Sequence, residues 1–185
     1  MNESEITKIS KFLSLVLRHK PGTIELQLDE NGWADVTDLL ARMNKHGMEI
    51  TKELLVYVVD TNNKKRFSFD DTQTRIRANQ GHSIAVELNL QEADPPEHLY
   101  HGTSEKNVAS ILATGISKGS RQHVHLSIDK ETAINVGARY GKPRIFVVAA
   151  RQMKTDGYTF YLSTNHVWLI DYVPAKYLQL PEHNK

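Results

Sequence analysis

The residue pattern predicts an α+β protein built as two lobes. Three observations carry that expectation: helical periodicity leading into a hairpin in the first half, an acidic proline-containing break at "EADPPE", and short alternating strands interleaved with helices after it. The chain has 185 residues, which suits one large domain or two small ones with real cores. The expected division is residues 1–88 and residues 89–185.

In the first half, Ile6, Ile9, Phe12, Leu13, Val16 and Leu17 recur at helical spacing, with Ser4 as the expected N-cap and an end near Arg18. The Pro-Gly pair that follows is ordinary helix termination. "QLDENGWADVTDLLARMNKHG" reads as a turn or short strand, then a helix from about Val36 to Asn44 stopped near Gly47. Thr51 is placed to cap a third helix, "KELLVYVVDTN". "RFSFD" and "TRIRAN" both alternate around "DDTQ" and read as a β-hairpin. Three helices followed by a hairpin is the winged-helix arrangement.

"EADPPE" is neither helix nor central strand. After it, "HLYHGT" reads as a strand, "KNVASILATG" as a Gly-stopped helix, and "HVHLSI" as an alternating strand. "DKETAINVGARYG" reads as a helix capped by Asp129, and "PRIFVVAA" as a buried strand. "YTFYLS" and "HVWLIDYV" are expected strands, and "VPAKYLQL" closes the chain.

Composition bounds the function. Hydrophobic residues make up 39% and charged residues 24%, as in soluble globular domains. No apolar run approaches the roughly 18 residues of a membrane span, and the polar, acidic start "MNESEITK" does not read as a signal peptide. With no cysteine, disulfides and thiolate metal sites are excluded, and a cytoplasmic location is expected. Net charge is +1: residues 1–88 carry 12 Lys/Arg against 13 Asp/Glu, and the remainder 11 against 9. Any nucleic-acid binding must therefore use local clusters, not a strongly basic surface.

The chain lacks G-x-S-x-G, H-E-x-x-H, a P-loop and G-x-G-x-x-G. His123 and His125 share a strand face but have no third close ligand, so no metal is expected. The cations show more pattern. Arg18 and His19 end the first helix, Lys64, Lys65 and Arg66 open the hairpin, Arg75 and Arg77 share a face of its second strand, and Arg121 precedes "HVHLS". Guanidiniums joined by an imidazole suit a phosphate, whose oxygens they grip bidentately. Solvated surface charge is the plain alternative. At Tyr100 to Ser104, "YHGTS" offers a ring, a close-approach backbone and a hydroxyl that together fit a planar amide. It reads equally as a strand-to-helix turn capped by Thr103 or Ser104.

Taken together, "SKFLSLVLRHKP", "GWADVTDLL", "KKRFSF", "IRANQGHS", "LYHGTS", "GISKGSRQHVHLS" and "VWLIDYVPAKYL" resemble the RNA 2′-phosphotransferases of the KptA family, in order, from residue 10 to 178. The resemblance implies a winged-helix RNA lobe and a C-terminal lobe of ADP-ribosyltransferase type; a monomer is the expected state. It implies NAD-dependent removal of an internal 2′-phosphate from RNA, of the kind left at a spliced tRNA junction. The phosphate would attack the nicotinamide ribose and expel nicotinamide, giving an ADP-ribosylated 2′-phospho-RNA. The products would be 2′-OH RNA and ADP-ribose 1″,2″-cyclic phosphate.

By the same resemblance, Arg18, His19, Arg66 and Arg121 form the catalytic set, with His19 either a phosphate donor or an acid/base. His101, Gly102, Thr103, His125, Ser127 and Val167 line the NAD pocket. Val167 stands where many protein-modifying relatives carry a catalytic Glu, and an anionic phosphate acceptor needs no such base. Lys64 and Lys65 are candidates for RNA phosphate contact. Asn79, Gln80 and His82 are placed between the lobes, as substrate contacts or as hydrogen bonds of the junction. The rivals are a non-catalytic winged-helix nucleic-acid-binding protein and an ADP-ribosyltransferase acting on another phosphate or a protein.

Overall fold

The computed structural model describes residues 3–181. Among the described residues the fold is mixed α and β, with six α-helices and small antiparallel sheets. It divides between Asn89 and Leu90 into two compact units, and each has its own apolar core.

The N-terminal unit begins with α1 (Glu3–Arg18), whose Ile9, Leu13, Val16 and Leu17 are buried at helical spacing. Ser4 lies inside this helix instead of capping it, because helical backbone already runs at Glu3. Beyond Arg18 the helix closes on a wider turn: the Lys20 N–H returns five residues to the Leu15 carbonyl at 2.8 Å, and Pro21 opens a 3-10 turn. A two-residue strand, β1 (Ala34–Asp35), leads into α2 (Val36–Lys45), whose first turn is capped by the Asp35 carboxylate accepting from the Asp38 N–H. Thr51 caps α3 (Lys52–Asp60) in the same way, accepting from the Leu54 N–H.

The expected hairpin is β2 (Phe67–Phe69) against β3 (Arg75–Ala78), with Phe67 opposite Ala78 and Phe69 opposite Ile76. β1 adds on the far side of β3 to give the order β1-β3-β2. The hairpin turn is organised by Asp70, which accepts from the Thr74 N–H at 2.9 Å, the Arg75 N–H at 3.0 Å and Arg75 Nε at 3.1 Å. These donors, led by the Arg75 backbone N–H, hold its carboxyl at about 2. Strand alternation sends Ile76 and Ala78 into the core, while the Arg75 and Arg77 guanidiniums lie over Trp33, 5.4 and 4.5 Å from its ring.

The C-terminal unit runs β4 (Leu99–Ser104), α4 (Val108–Thr114), β5 (Ile116–Ser117), β6 (Val124–Leu126), α5 (Lys130–Gly137), β7 (Pro143–Val148), α6 (Ala150–Thr155), β8 (Tyr161–Leu162), β9 (Trp168–Ile170), β10 (Tyr172–Val173) and β11 (Leu178–Gln179). β7 is the centre of one sheet, β11-β7-β4. A second has the order β6-β9-β8, and β10 pairs with β5. Asp129 caps α5 as expected, accepting from the Thr132 N–H at 2.7 Å. Two expectations are corrected. The strand read as "PRIFVVAA" gives way at Ala150 to α6, and "HVWLIDYV" breaks at Asp171 into two strands belonging to different sheets.

Strand and helix meet in this unit without intervening side chains. A Cβ added at Gly102 of β4 would lie 1.7 Å from the Ala133 carbonyl oxygen of α5. A Cβ on Gly137 of α5 would lie 2.6 Å from the Thr103 carbonyl oxygen of β4. Each glycine leaves room for the other element's backbone.

Candidate functional site

In the N-terminal unit, the tip of α1 presents Arg18 half-buried and His19 exposed. The Arg18 guanidinium lies 5.8 Å over the Phe67 ring, and its Nη2 donates to the Arg66 carbonyl at 3.4 Å. Two of the arginines singled out from the sequence, 48 residues apart, are thereby brought to one corner. The segment 79–83 is bound to that corner. The Asn79 N–H donates to the Arg66 carbonyl at 2.9 Å, and its side-chain amide donates to the Lys65 carbonyl at 2.7 Å while accepting from Ser68 Oγ at 2.8 Å. A glycine turn follows (Gly81 φ +86°), which a side chain would strain. The Ser83 N–H then donates to the Arg18 carbonyl, and Ser83 Oγ lies 2.9 Å from His19 Nδ1.

The remaining N-terminal candidates fall differently. Lys65 has a left-handed backbone (φ +42°), and its Nζ donates to the Asp60 carbonyl at 2.9 Å, closing the C-terminus of α3. Lys64 is exposed. Asn79 and Gln80 are buried, and His82 is fully buried with neither ring nitrogen hydrogen-bonded. Burial pushes the His82 imidazole down to about 4, and the charges of Arg18, His19 and Arg77 act in the same direction.

In the C-terminal unit, β4 and the residue just beyond β6 meet in an isolated bridge. Tyr100 N–H donates to the Ser127 carbonyl at 2.9 Å, and Ser127 N–H returns to Tyr100 at 2.8 Å. Antiparallel alternation puts the Gly102 N–H and carbonyl on this same edge, away from β7. An edge of paired donor and acceptor therefore lies where the two strands part. Thr103 is buried, and its hydroxyl accepts from Asn107 Nδ2 at 3.2 Å.

Two imidazoles flank that edge in opposite tautomers. His101 Nδ1 lies 3.2 Å from the His125 carbonyl, which can only accept, so the neutral ring carries its hydrogen on Nδ1 and presents an Nε2 lone pair. His125 Nδ1 lies 3.3 Å from Arg121 Nη1, which can only donate, so His125 keeps its hydrogen on Nε2. Burial pulls the His101 imidazole below its ordinary value. The His125 carbonyl opposes that shift, and the Arg121 charge adds to it. Val167 sits in the β8–β9 turn, where its N–H donates to Ser163 Oγ and its carbonyl accepts from the Ser163 N–H.

Among the described residues, no cluster of three or more His, Cys, Asp or Glu side chains is placed to hold a metal ion. The His123 ring packs edge-on against Tyr161 at 5.9 Å, and His125 is turned to Arg121. No helix among those residues is long and apolar enough to cross a membrane. The sequence reading missed Ser83, the neighbour of a motif residue it named. Its only signal was the serine itself, at the end of "ANQGHS".

Residues 4–172 match the model of the family described as RNA 2′-phosphotransferase, Tpt1 / KptA family. A protein of Flavobacterium johnsoniae named probable RNA 2′-phosphotransferase is 58% identical over 97% of this chain and 98% of its own length. Proteins of the same name from Rhodopirellula baltica and Streptomyces coelicolor are 53% and 47% identical, over 97% and 98% of this chain and 98% of each relative. Matches of this extent define an enzyme, and its class is transferase. The chain belongs to the RNA 2′-phosphotransferase, Tpt1 / KptA family.

Proposed function

We propose that this protein removes an internal 2′-phosphate from RNA, of the kind left at a tRNA splice junction, in an NAD-dependent transfer. The observation that carries the reading is the family match across residues 4–172, which leaves neither half of the chain outside it. In this reading the N-terminal unit is a winged-helix RNA lobe and the C-terminal unit an ADP-ribosyltransferase-like NAD lobe. NAD, when bound, supplies an electrophilic ribose carbon and a nicotinamide leaving group, and the phosphate departs as ADP-ribose 1″,2″-cyclic phosphate.

The C-terminal residues suit that partner. A nicotinamide carboxamide has one donor group and one acceptor, and the Gly102 edge offers the complement of both. The His101 Nε2 lone pair suits a ribose hydroxyl, and the His125 Nε2 hydrogen suits an anionic or carbonyl oxygen. Val167 brings no carboxylate, which an anionic acceptor does not need.

The N-terminal residues suit the RNA phosphate. Arg18 and Arg66 are neighbours whose charge is permanent, and His19 adds a ring donor beside them. Arg121 belongs to the same family-like set and is a further candidate guanidinium. These groups hold the nonbridging phosphate oxygens and stabilise charge as phosphorus is attacked, a role that positioning and fixed donors can fill. Lys64 remains a candidate RNA contact.

The test is incubation with an RNA bearing one internal 2′-phosphate, with and without NAD, following the phosphate and free nicotinamide. The expected outcome is loss of the phosphate only with NAD, with nicotinamide released in proportion. Loss that proceeds equally without NAD sinks the proposal.

A further inference from the structure

We infer that Ser83 is a positioning residue for His19, an inference that rests on the proposed phosphate-handling role of the Arg18–His19 corner. Three features carry it. Ser83 makes two bonds to one helix tip: its N–H to the Arg18 carbonyl, and its hydroxyl 2.9 Å from His19 Nδ1. The residues on its N-terminal side are fixed, with His82 fully buried and Asn79 tied to the carbonyls of Lys65 and Arg66. His19 is itself exposed, beyond the last turn of α1, so packing alone does not hold its ring. The segment 79–83 is thus a strap that starts on the Arg66 backbone and ends on the His19 ring.

The chemistry of a hydroxyl suits this task. A carboxylate in the same place would favour the imidazolium and set a negative charge beside Arg18, weakening the pull on a phosphate. A hydroxyl is neutral, and it donates or accepts as the ring requires. When Nδ1 carries a hydrogen, Ser83 Oγ accepts it. When Nδ1 is bare, the hydroxyl turns and donates. The ring plane is held in both protonation states, and Nε2 is left as the nitrogen turned away from Ser83. The charged and titratable groups around this corner within the unit are Arg18 and Lys20 beside it in sequence, Arg66, Arg77 and the buried His82.

The experiment uses the full chain in three forms, wild type, Ser83→Ala and Ser83→Thr, each also combined with His19→Ala. Without substrate, the nitrogen and carbon-bound proton resonances of His19 are followed across pH. Turnover of 2′-phosphorylated RNA with NAD is then measured on the same samples. Ser83→Ala is expected to move the His19 Nδ1 resonance and to lower kcat about ten-fold with little change in KM, while thermal stability stays near wild type. Ser83→Thr, which keeps the hydroxyl, restores both the resonance and most of the turnover. In the His19→Ala background, Ser83→Ala has no further effect.

Unchanged His19 resonances in Ser83→Ala overturn the inference. So does an equal loss of turnover whether or not His19 is present, since Ser83 would then act through the fold. A wild-type chain without NAD-dependent phosphate removal overturns the proposed function instead, and the resonances still report whether Ser83 holds the ring.

Discussion

The two units hold an imidazole out of water by opposite means. In the N-terminal unit, His82 is sealed in with neither ring nitrogen bonded and with cations about it. In the C-terminal unit, His101 is pinned through Nδ1 to a carbonyl. Burial lowers both below an ordinary histidine, but only His101 has a backbone oxygen working against the shift. The bonded ring has a fixed tautomer and a defined open nitrogen, as a group that meets a ligand needs. The unbonded ring has neither, and its burial anchors the segment that carries Ser83.

The comparison is broken most directly at the arginines. If the two units serve the two ends of one reaction, Arg18→Ala, Arg66→Ala and Arg121→Ala each lower turnover about 10²–10³-fold, the usual cost of one fixed donor to developing charge. Circular dichroism should stay unchanged. A variant with full turnover removes its residue from the site and leaves that unit's half of the reading unsupported.

A second contrast concerns acid. An unfolded His82 takes up its proton near 6.5, whereas the folded ring does so only at about 4. Between those values the unfolded chain binds more protons, so stability is full above neutrality and is lost as pH falls through this window, by up to about 3 kcal/mol. Urea unfolding at pH 7.5 and 4.5 measures the loss, and His82→Leu should flatten it. A slope that survives His82→Leu unchanged assigns the effect elsewhere.

Gly102→Ala probes the other unit. Its new methyl collides with the Ala133 carbonyl oxygen, and the strain should cost about 1–3 kcal/mol in thermal unfolding. An unaltered melting temperature would mean that α5 shifts freely. The smallest effect is expected at the hairpin. Lys65→Ala removes a cap and should change stability by no more than about 0.5 kcal/mol. RNA affinity measured beside it should fall less than in Lys64→Ala, because the Lys65 ammonium is already committed to Asp60.

The N-terminal unit was the more legible in the sequence, for a physical reason. Its helices announce themselves locally, through Asp35 and Thr51 at the caps and an apolar period that runs unbroken from Ile9 to Leu17. In the C-terminal unit, the Asp129 cap was equally visible, but strands of two or three residues carry no period. Nothing local marks Asp171 as the place where one strand becomes two. The site divides in the same way. Residue types pointed to a wider scatter of cations, and only the family resemblance narrowed it to Arg18, His19, Arg66 and Arg121. The Arg18 bond to the Arg66 carbonyl and the Ser83 hold on His19 link residues 48 and 64 apart, which no spacing rule reaches. Lys65 looked like any hairpin cation, and its left-handed backbone, which turns the ammonium back onto α3, has no signature in a Lys-Lys-Arg run.

The paired glycines of β4 and α5 have a mechanical consequence. Where two elements meet through side chains, rotamers can yield and the joint has play. Here the Gly102 and Gly137 contacts are backbone on backbone, so the seat is as stiff as the peptide units that form it. The Gly102 edge then keeps its station through thermal agitation that would blur a softer mounting. Amide hydrogen exchange at residues 101 and 103, whose N–H groups face β7, should be among the slowest in the unit.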